Sequence, residues 1–422
     1  MKRAIIALII FGACQKPATS PKSTIDLTIP PKAELPQNSN EKIPAPMTPI
    51  GPKMTLEQVT FESITGYRED NHIDAIKAFN RSCKVILAKT PSGSFGKSPF
   101  AGRTESWQKA CNASLALTKN GQQNDSSEFF ETHFNAYRVK NNGSDTGRFT
   151  GYYEAHLKGS LKRTKRFSYP VYKRPKELVM VNMLDFTDSP KPRRIAGKVI
   201  NGRLRPFYTR KEIDEGALSK RNLEIAWVDS PIDRLFAQIQ GSALLSLPGG
   251  KSIRLAYSAK NGHPYTAIGR ELAQIGAFEK KDMSMQSIRK WLLEHPEKAT
   301  EMMQRNKAYV FFKKETRPGA IGAQNVVLTP ERSMAVDPYY IPLGAPLFLQ
   351  TELPQKASND NNRSFKRIMI AQDTGGAIRG PIRGDVFWGN TDRAFEIAGQ
   401  LKSSGSYYLF LPKDIVVEKT LF

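Results

Sequence analysis

The chain has 422 residues, with 63 Lys and Arg against 40 Asp and Glu and a formal net charge of +23. That length allows two folded domains plus tails, and that charge favours a polyanionic partner: nucleic acid, acidic lipid or an acidic cell-wall polymer. No helix-turn-helix, zinc-finger or RNA-binding motif accompanies the charge, which argues against a nucleic-acid partner.

Met1-Lys2-Arg3 is a short basic start, residues 4–11 are apolar, and Phe11-Gly12-Ala13-Cys14 sets small residues before a cysteine. This layout reads as a bacterial lipoprotein signal over 1–13, cleaved before a Cys14 that then carries lipid. An ordinary signal peptide is the alternative. The apolar run is too short to span a bilayer, and Gln15 after the cysteine, rather than Asp, favours the outer membrane of a Gram-negative envelope, on its periplasmic side. Residues 14–54 are rich in Pro, Ser, Thr, Asn and Lys and cannot bury enough apolar surface to offset their ordering entropy, so they read as a disordered tether. An oxidising location makes Cys83 and Cys111, the other two cysteines, disulfide candidates. Two buried thiols are the alternative.

From about 56 to 137 the pattern is mainly helical, with stripes at Ile73, Ile76, Phe79 and Cys83, at Trp107, Ala110 and Cys111, and at Phe129, Phe130 and Phe134. From Gly147 short β-type runs take over, at 149–154, 169–172, 223–228 and 252–257, which suggests a barrel or sandwich. A helix at 233–240 capped by Gly241 interrupts them. Helix returns over 284–305, and strands follow at 308–312, 326–328, 346–349, 367–371 and 407–411. Helix, β-module, helix, β-module is an order made by inserting one domain into another.

The segment from Asp373 to Asp385 carries acids, arginines and four glycines between the apolar runs 368–371 and 386–388, with Asp337 upstream. Those runs read as short strands, which puts the acids at strand ends and on a loop. Glycines there let a backbone approach a ligand closely. Five scattered histidines offer no metal spacing, and there is no Gly-x-Ser-x-Gly elbow or Walker loop, so neither a metal nor another cofactor is expected. Carboxylates remain. Two neighbouring acids do not both ionise cheaply, so Asp373 and Asp385 are a source of a general acid near neutral pH. Aromatic surfaces beside acids suit carbohydrate. Glycosidic cleavage usually takes two carboxylates, but one suffices if the sugar supplies its own nucleophile.

Several longer motifs resemble the membrane-bound lytic murein transglycosylase A family: Thr150-Gly151-Tyr152-Tyr153-Glu154, Ile232-Asp233-Arg234-Leu235-Phe236-Ala237-Gln238-Ile239-Gln240-Gly241, Asn261-Gly262-His263-Pro264-Tyr265, Arg332-Ser333-Met334-Ala335-Val336-Asp337 and Asp373-x-Gly375-Gly376-Ala377-Ile378-x-Gly380. The match runs in order from about 60 to 415. It implies a mainly β fold with helical segments: a double-psi β-barrel with a second β-barrel inserted and a substrate groove between them. The domains expected are 55–151 plus 269–422 for the first barrel and 152–268 for the insertion. The resemblance further implies exolytic, water-free cleavage of the MurNAc–GlcNAc β-1,4 bond of peptidoglycan, leaving 1,6-anhydro-MurNAc ends.

The family's three aspartates map onto Asp337, Asp373 and Asp385, with Asp385 the catalytic acid, Asp373 its orienting partner and Asp337 in support. Gly375, Gly376, Tyr152, Gln240 and Trp388 are expected to bind substrate or support the site. The partners implied are peptidoglycan glycan strands, the membrane through Cys14, and cell-wall synthesis or hydrolysis complexes. A second reading keeps the fold without the catalysis: a peptidoglycan-binding envelope lipoprotein.

Overall fold

The computed structural model describes residues 53–119, 126–186, 194–355 and 363–417. The signal segment, Cys14 and most of the tether lie outside the described residues. Among the described residues no helix is long and apolar enough to cross a membrane.

The chain opens with β1 (Met54–Val59), α1 (His72–Ile86), α2 (Thr104–Lys119), α3 (Ser126–His133) and β2 (Phe134–Asn141). The helical stripes expected here do form helices, but strands stand at both ends of the region. β2 returns antiparallel along β1, Met54 facing Asn141 and Val59 facing Ala136. A helical period continued through Phe134 therefore misreads the region's end, where burial of Phe134 and Ala136 on either side of a more open Asn135 follows the two-residue period of a strand.

Next come β3 (Gly147–Tyr152), β4 (Ala155–Ser160), β5 (Tyr169–Tyr172), β6 (Val179–Asn182), β7 (Arg194–Ile200) and β8 (Arg203–Pro206). After α4 (Arg210–Asp214) and β9 (Glu224–Val228) comes α5 (Pro231–Gln240). Its ends follow from local chemistry: Pro231 needs no N–H at the first turn, Ser230 accepts from the Asp233 amide, and Gly241 ends the helix at φ 82°. β10 (Ser242–Ser246), β11 (Ser252–Lys260) and α6 (Ile268–Gln274) follow.

The helix expected over 284–305 is two, α7 (Met285–Glu294) and α8 (Pro296–Arg305), because Pro296 offers no N–H and bars helical backbone at His295. The remaining elements are β12 (Val310–Glu315), β13 (Ser333–Ala335), β14 (Pro346–Glu352), β15 (Ser364–Asp373), β16 (Arg383–Phe387), α9 (Asp392–Gln400) and β17 (Lys402–Pro412). The strand expected at 326–328 is a tight loop with one bridge, Ile321 to Val327.

The largest sheet has the order β1-β2-β17-β14-β15-β13-β16-β3, and β3 also pairs with β17. The last six strands therefore close into a barrel, which leaves them no free edge. Buried Leu347, Ile370, Val386 and Leu409 belong to its core. A second, six-stranded sheet runs β12-β11-β10-β4-β9-β5, and a bridge from Lys173 to Phe312 joins its two edges. Here the pairing departs from the sequence grouping: β12 lies beyond residue 269 yet pairs with β11, Tyr257 opposite Phe312.

α1 and α2 are joined by a disulfide between Cys83 and Cys111, both fully buried, with Cα atoms 5.2 Å apart. It closes a loop with a sequence separation of 28. Loop-closure entropy predicts that the Cys83→Ala, Cys111→Ala double variant loses roughly 3 kcal/mol of stability, read as a lower urea midpoint.

Candidate active site

β3 organises the site through a two-residue period. It lies parallel to β16, with Thr150 opposite Asp385 and Tyr152 opposite Phe387. Thr150 Oγ1 donates to Asp385 Oδ1 at 2.6 Å, and Tyr152 Oη donates to Asp373 Oδ2 at 2.8 Å. Two residues on, buried Glu154 accepts from Arg254 Nε at 2.6 Å and from Asn390 Nδ2 at 3.3 Å, joining β11 of the second sheet to the loop after β16. Alternate side chains of one extended segment thus hold both acids and a contact between the two sheets. The intervening Gly151 is required by space: a Cβ there would lie 2.7 Å from Trp388 Nε1 and 2.8 Å from Ala398 Cα.

The acids sit in one row across four neighbouring strands. Asp385 on β16 pairs with Thr150 on one side and with Ala335 of β13 on the other, and Ala335 pairs in turn with Asp373 of β15. Asp373 closes its strand as expected, whereas Asp385 is inside a strand rather than on the loop. The ladder fixes its position more firmly than a loop could.

Asp373 accepts from three donors: Tyr152, the Ala323 amide at 2.9 Å and the Thr374 amide at 2.8 Å. A buried polar relay stands behind it. Ser333 donates to Gln372 Oε1 at 2.5 Å, Gln372 Nε2 donates to the Ala78 carbonyl and to Ser82 Oγ, and Ser82 donates to Gln324 at 2.7 Å. The relay ties α1 to β15 and to the loop that presents Ala323. Asp337, also buried, accepts from the Gly380 amide at 2.9 Å and so pins the Asp373–Asp385 loop, where Gly380 takes φ 106°. Tyr407 donates to the Pro381 carbonyl in the same loop.

Tyr152, Ala320, Leu328, Ala335, Ile378 and Phe387 form a compact apolar cluster, joined to the acids through Tyr152 and Ala335. Burial pushes the Asp385 carboxyl up to about 6, against the opposing effects of the Thr150 hydrogen bond and the Arg383 charge, and with a further upward push from Asp373. Burial also raises Asp373, while its three donors act in the opposite direction. Arg383 Nη2 donates to Thr150 Oγ1 at 2.8 Å, completing a chain from guanidinium through hydroxyl to carboxyl. Among the described residues no group of three or more His, Cys, Asp or Glu could hold a metal.

The other expected residues fall into different places. Trp388 is buried, packed on Phe365 with ring centroids 5.3 Å apart, and offers no face to a sugar. Tyr152 is likewise buried and acts on Asp373. Gln240 accepts from the Tyr153 amide at 3.0 Å and so steadies the segment after β3. Gly376 has open space beyond its Cα, while Gly375 is in tight contact with Ile378. Thr150 and the Ala323 amide carry roles the motifs alone did not assign; the alternation Thr150, Tyr152, Glu154 was the available signal for the first, and nothing in the sequence marks a backbone amide.

The description "MltA specific insert domain" matches residues 148–313, and "3D domain" matches 332–411. Membrane-bound lytic murein transglycosylase A of Escherichia coli (strain K12) is 32% identical over 264 residues, 62% of this chain and 65% of that protein. The chain thus aligns with just under two thirds of the length of such curated relatives. A crystal structure of membrane-bound lytic murein transglycosylase from Agrobacterium tumefaciens matches with a TM-score of 0.74 and 32% identity, covering 85% of this chain and 98% of that one. MltA from Neisseria gonorrhoeae in a monoclinic form gives 0.72 and 30%, covering 87% and 95%. E. coli MltA with bound chitohexaose gives 0.65 and 25%, covering 85% and 94%. The chain belongs to the membrane-bound lytic murein transglycosylase A family, and its first barrel is of the double-psi type.

The raised carboxyl has a consequence for stability. Between about pH 4 and 6 the folded protein keeps a proton on Asp385 that the unfolded chain releases, so stability falls as pH rises through that window. Asp385→Asn removes this cost. Urea unfolding is expected to show the variant more stable than the parent by roughly 1–2 kcal/mol near pH 7.5, with the gap closing near pH 4. Thr150→Val removes the hydrogen bond that favours the carboxylate, so the upper end of the window moves to higher pH.

Proposed function

From that membership and the row of acids, we propose that the chain is a lytic transglycosylase that cleaves the MurNAc–GlcNAc β-1,4 bond of peptidoglycan without water. One observation carries the reading: a single carboxyl, Asp385, is held by burial at about 6, within reach of use as both acid and base. Protonated Asp385 gives its proton to the glycosidic oxygen as the C1–O bond breaks. The resulting carboxylate then takes the proton of the C6 hydroxyl as that oxygen bonds to C1 of the same sugar. The ring closes as 1,6-anhydro-MurNAc, Asp385 is protonated again, and no water is consumed. Intramolecular attack draws its rate from proximity, so a second catalytic carboxylate has no task.

In this scheme Asp373, an acceptor for three donors, is the ionised partner whose charge helps keep the proton on Asp385. Asp337 holds the loop between them. The exposed arginines Arg148 and Arg379 near these strands favour an anionic polymer. The E. coli relative with bound chitohexaose supports a glycan as the ligand, while exolytic action rests on the family resemblance. The inserted domain runs from 152 to about 315, by the pairing of β12, with 55–151 and the remainder forming the first barrel. Lipid on Cys14 would hold the enzyme in the outer membrane, facing the periplasm, and relatives named "membrane-bound" support an envelope location. A purely glycan-binding role is the weaker reading, since it leaves the raised Asp385 without a use.

The test is digestion of purified peptidoglycan followed by mass spectrometry of the released muropeptides. Anhydro-muropeptides are expected from the parent and about a thousandfold fewer from Asp385→Asn; reducing-end products would contradict the scheme. Because the acid must be protonated, turnover is expected to fall as pH rises through about 6.

A further inference from the structure

β6, β7 and β8 form a separate three-stranded antiparallel sheet, and its two faces differ sharply. Register places Val179 opposite Gly197 and Gly197 opposite Pro206, Val181 opposite Ile195, and Val199 opposite Leu204. Directly opposed residues share a face, so one side of the sheet is apolar at every described position. Met180, Ala196 and Tyr208 pack instead against the second core, with Lys198 Nζ 3.5 Å from the Tyr208 ring centroid. The apolar side therefore points away from the protein's own packing. Val179 is 37% exposed, Ile195 43%, Val199 58% and Leu204 37%. Soluble proteins rarely leave such a contiguous aliphatic patch without a purpose.

We propose that this sheet face docks on an anionic phospholipid surface, independently of any acyl chain on Cys14. The patch is aliphatic, which suits acyl chains; sugar binding would call for aromatic faces, and described positions on this side carry none. Its charge is complementary to the partner: the β7–β8 hairpin carries Lys198 and exposed Arg203 and Arg205, with no acid from Ile195 to Pro206. Register sets Arg203 and Arg205 on the other face of β8, opposite Ile200 and Lys198. But β8 is an edge strand, so their long side chains can reach round that edge to lipid phosphates while Val199 and Leu204 enter the interface. The contact would hold the second barrel at the membrane and set the orientation of the groove relative to it.

Vesicle co-sedimentation tests this with the compact unit from Ile50 to Phe422, which lacks Cys14 and the apolar leader. Vesicles of phosphatidylethanolamine with about one quarter phosphatidylglycerol are compared with vesicles of pure phosphatidylcholine. Binding to the anionic vesicles is expected, weakening as salt rises. Val199→Asp with Leu204→Asp should reduce it at least about tenfold, and Arg203→Glu with Arg205→Glu should remove the salt-dependent part. Unchanged circular dichroism and melting of both variants keep folding out of the comparison. Three results overturn the proposal: no binding to anionic vesicles, equal binding by the aspartate variant, or a dimer of the parent that Val199→Asp with Leu204→Asp converts to monomer.

Discussion

The parallel pairing of β3 with β16 is the constraint on which the site depends. It joins segments 235 residues apart, setting Thr150 against Asp385 and carrying Tyr152 towards Asp373. Because the strands belong to a closed barrel, neither can slide without breaking ladders on both sides. A one-residue slip would turn Thr150 away from Asp385 and bring a phenylalanine or a glycine against it. Closure of the barrel is therefore what fixes the position of the Asp385 carboxyl.

The energetic logic is one of controlled burial. Burial makes the Asp385 carboxyl resist ionisation, and the hydrogen bond from Thr150 and the charge of Arg383 limit how far. Asp373 faces similar burial but receives three donors, which favour its charged form. Unequal hydrogen bonding gives two chemically identical groups different surroundings. The relay through Gln372, Ser82 and Gln324 makes that difference durable, since it anchors the Ala323 loop to α1, and the disulfide in turn anchors α1 to α2.

Much of this was legible in the sequence where local chemistry decides the outcome. Ser230, Pro231 and Gly241 bracket α5, and the runs around 368–371 and 386–388 are strands. What was not legible depends on partners distant in the chain. Trp388 reads as a sugar platform beside the acids, yet the approach of Gly151 and the packing of Phe365 bury it. The strands β1 and β2 at the ends of a helical region, and the membership of β12 in the second sheet, are set by pairing that no local period reveals. The amide of Ala323 has no side-chain signature at all. The family resemblance named the three aspartates; their unequal surroundings come from the fold.

The central claim is that Asp385 holds its proton to an unusually high pH. Carbon-13 NMR of protein labelled at the aspartate carboxyl carbons measures this directly, with the Asp385 resonance assigned by its loss in Asp385→Asn. A midpoint near 6 is expected. A midpoint near the ordinary value of about 4 would contradict the account, because Asp385 would then be ionised at the pH where it has to act as an acid.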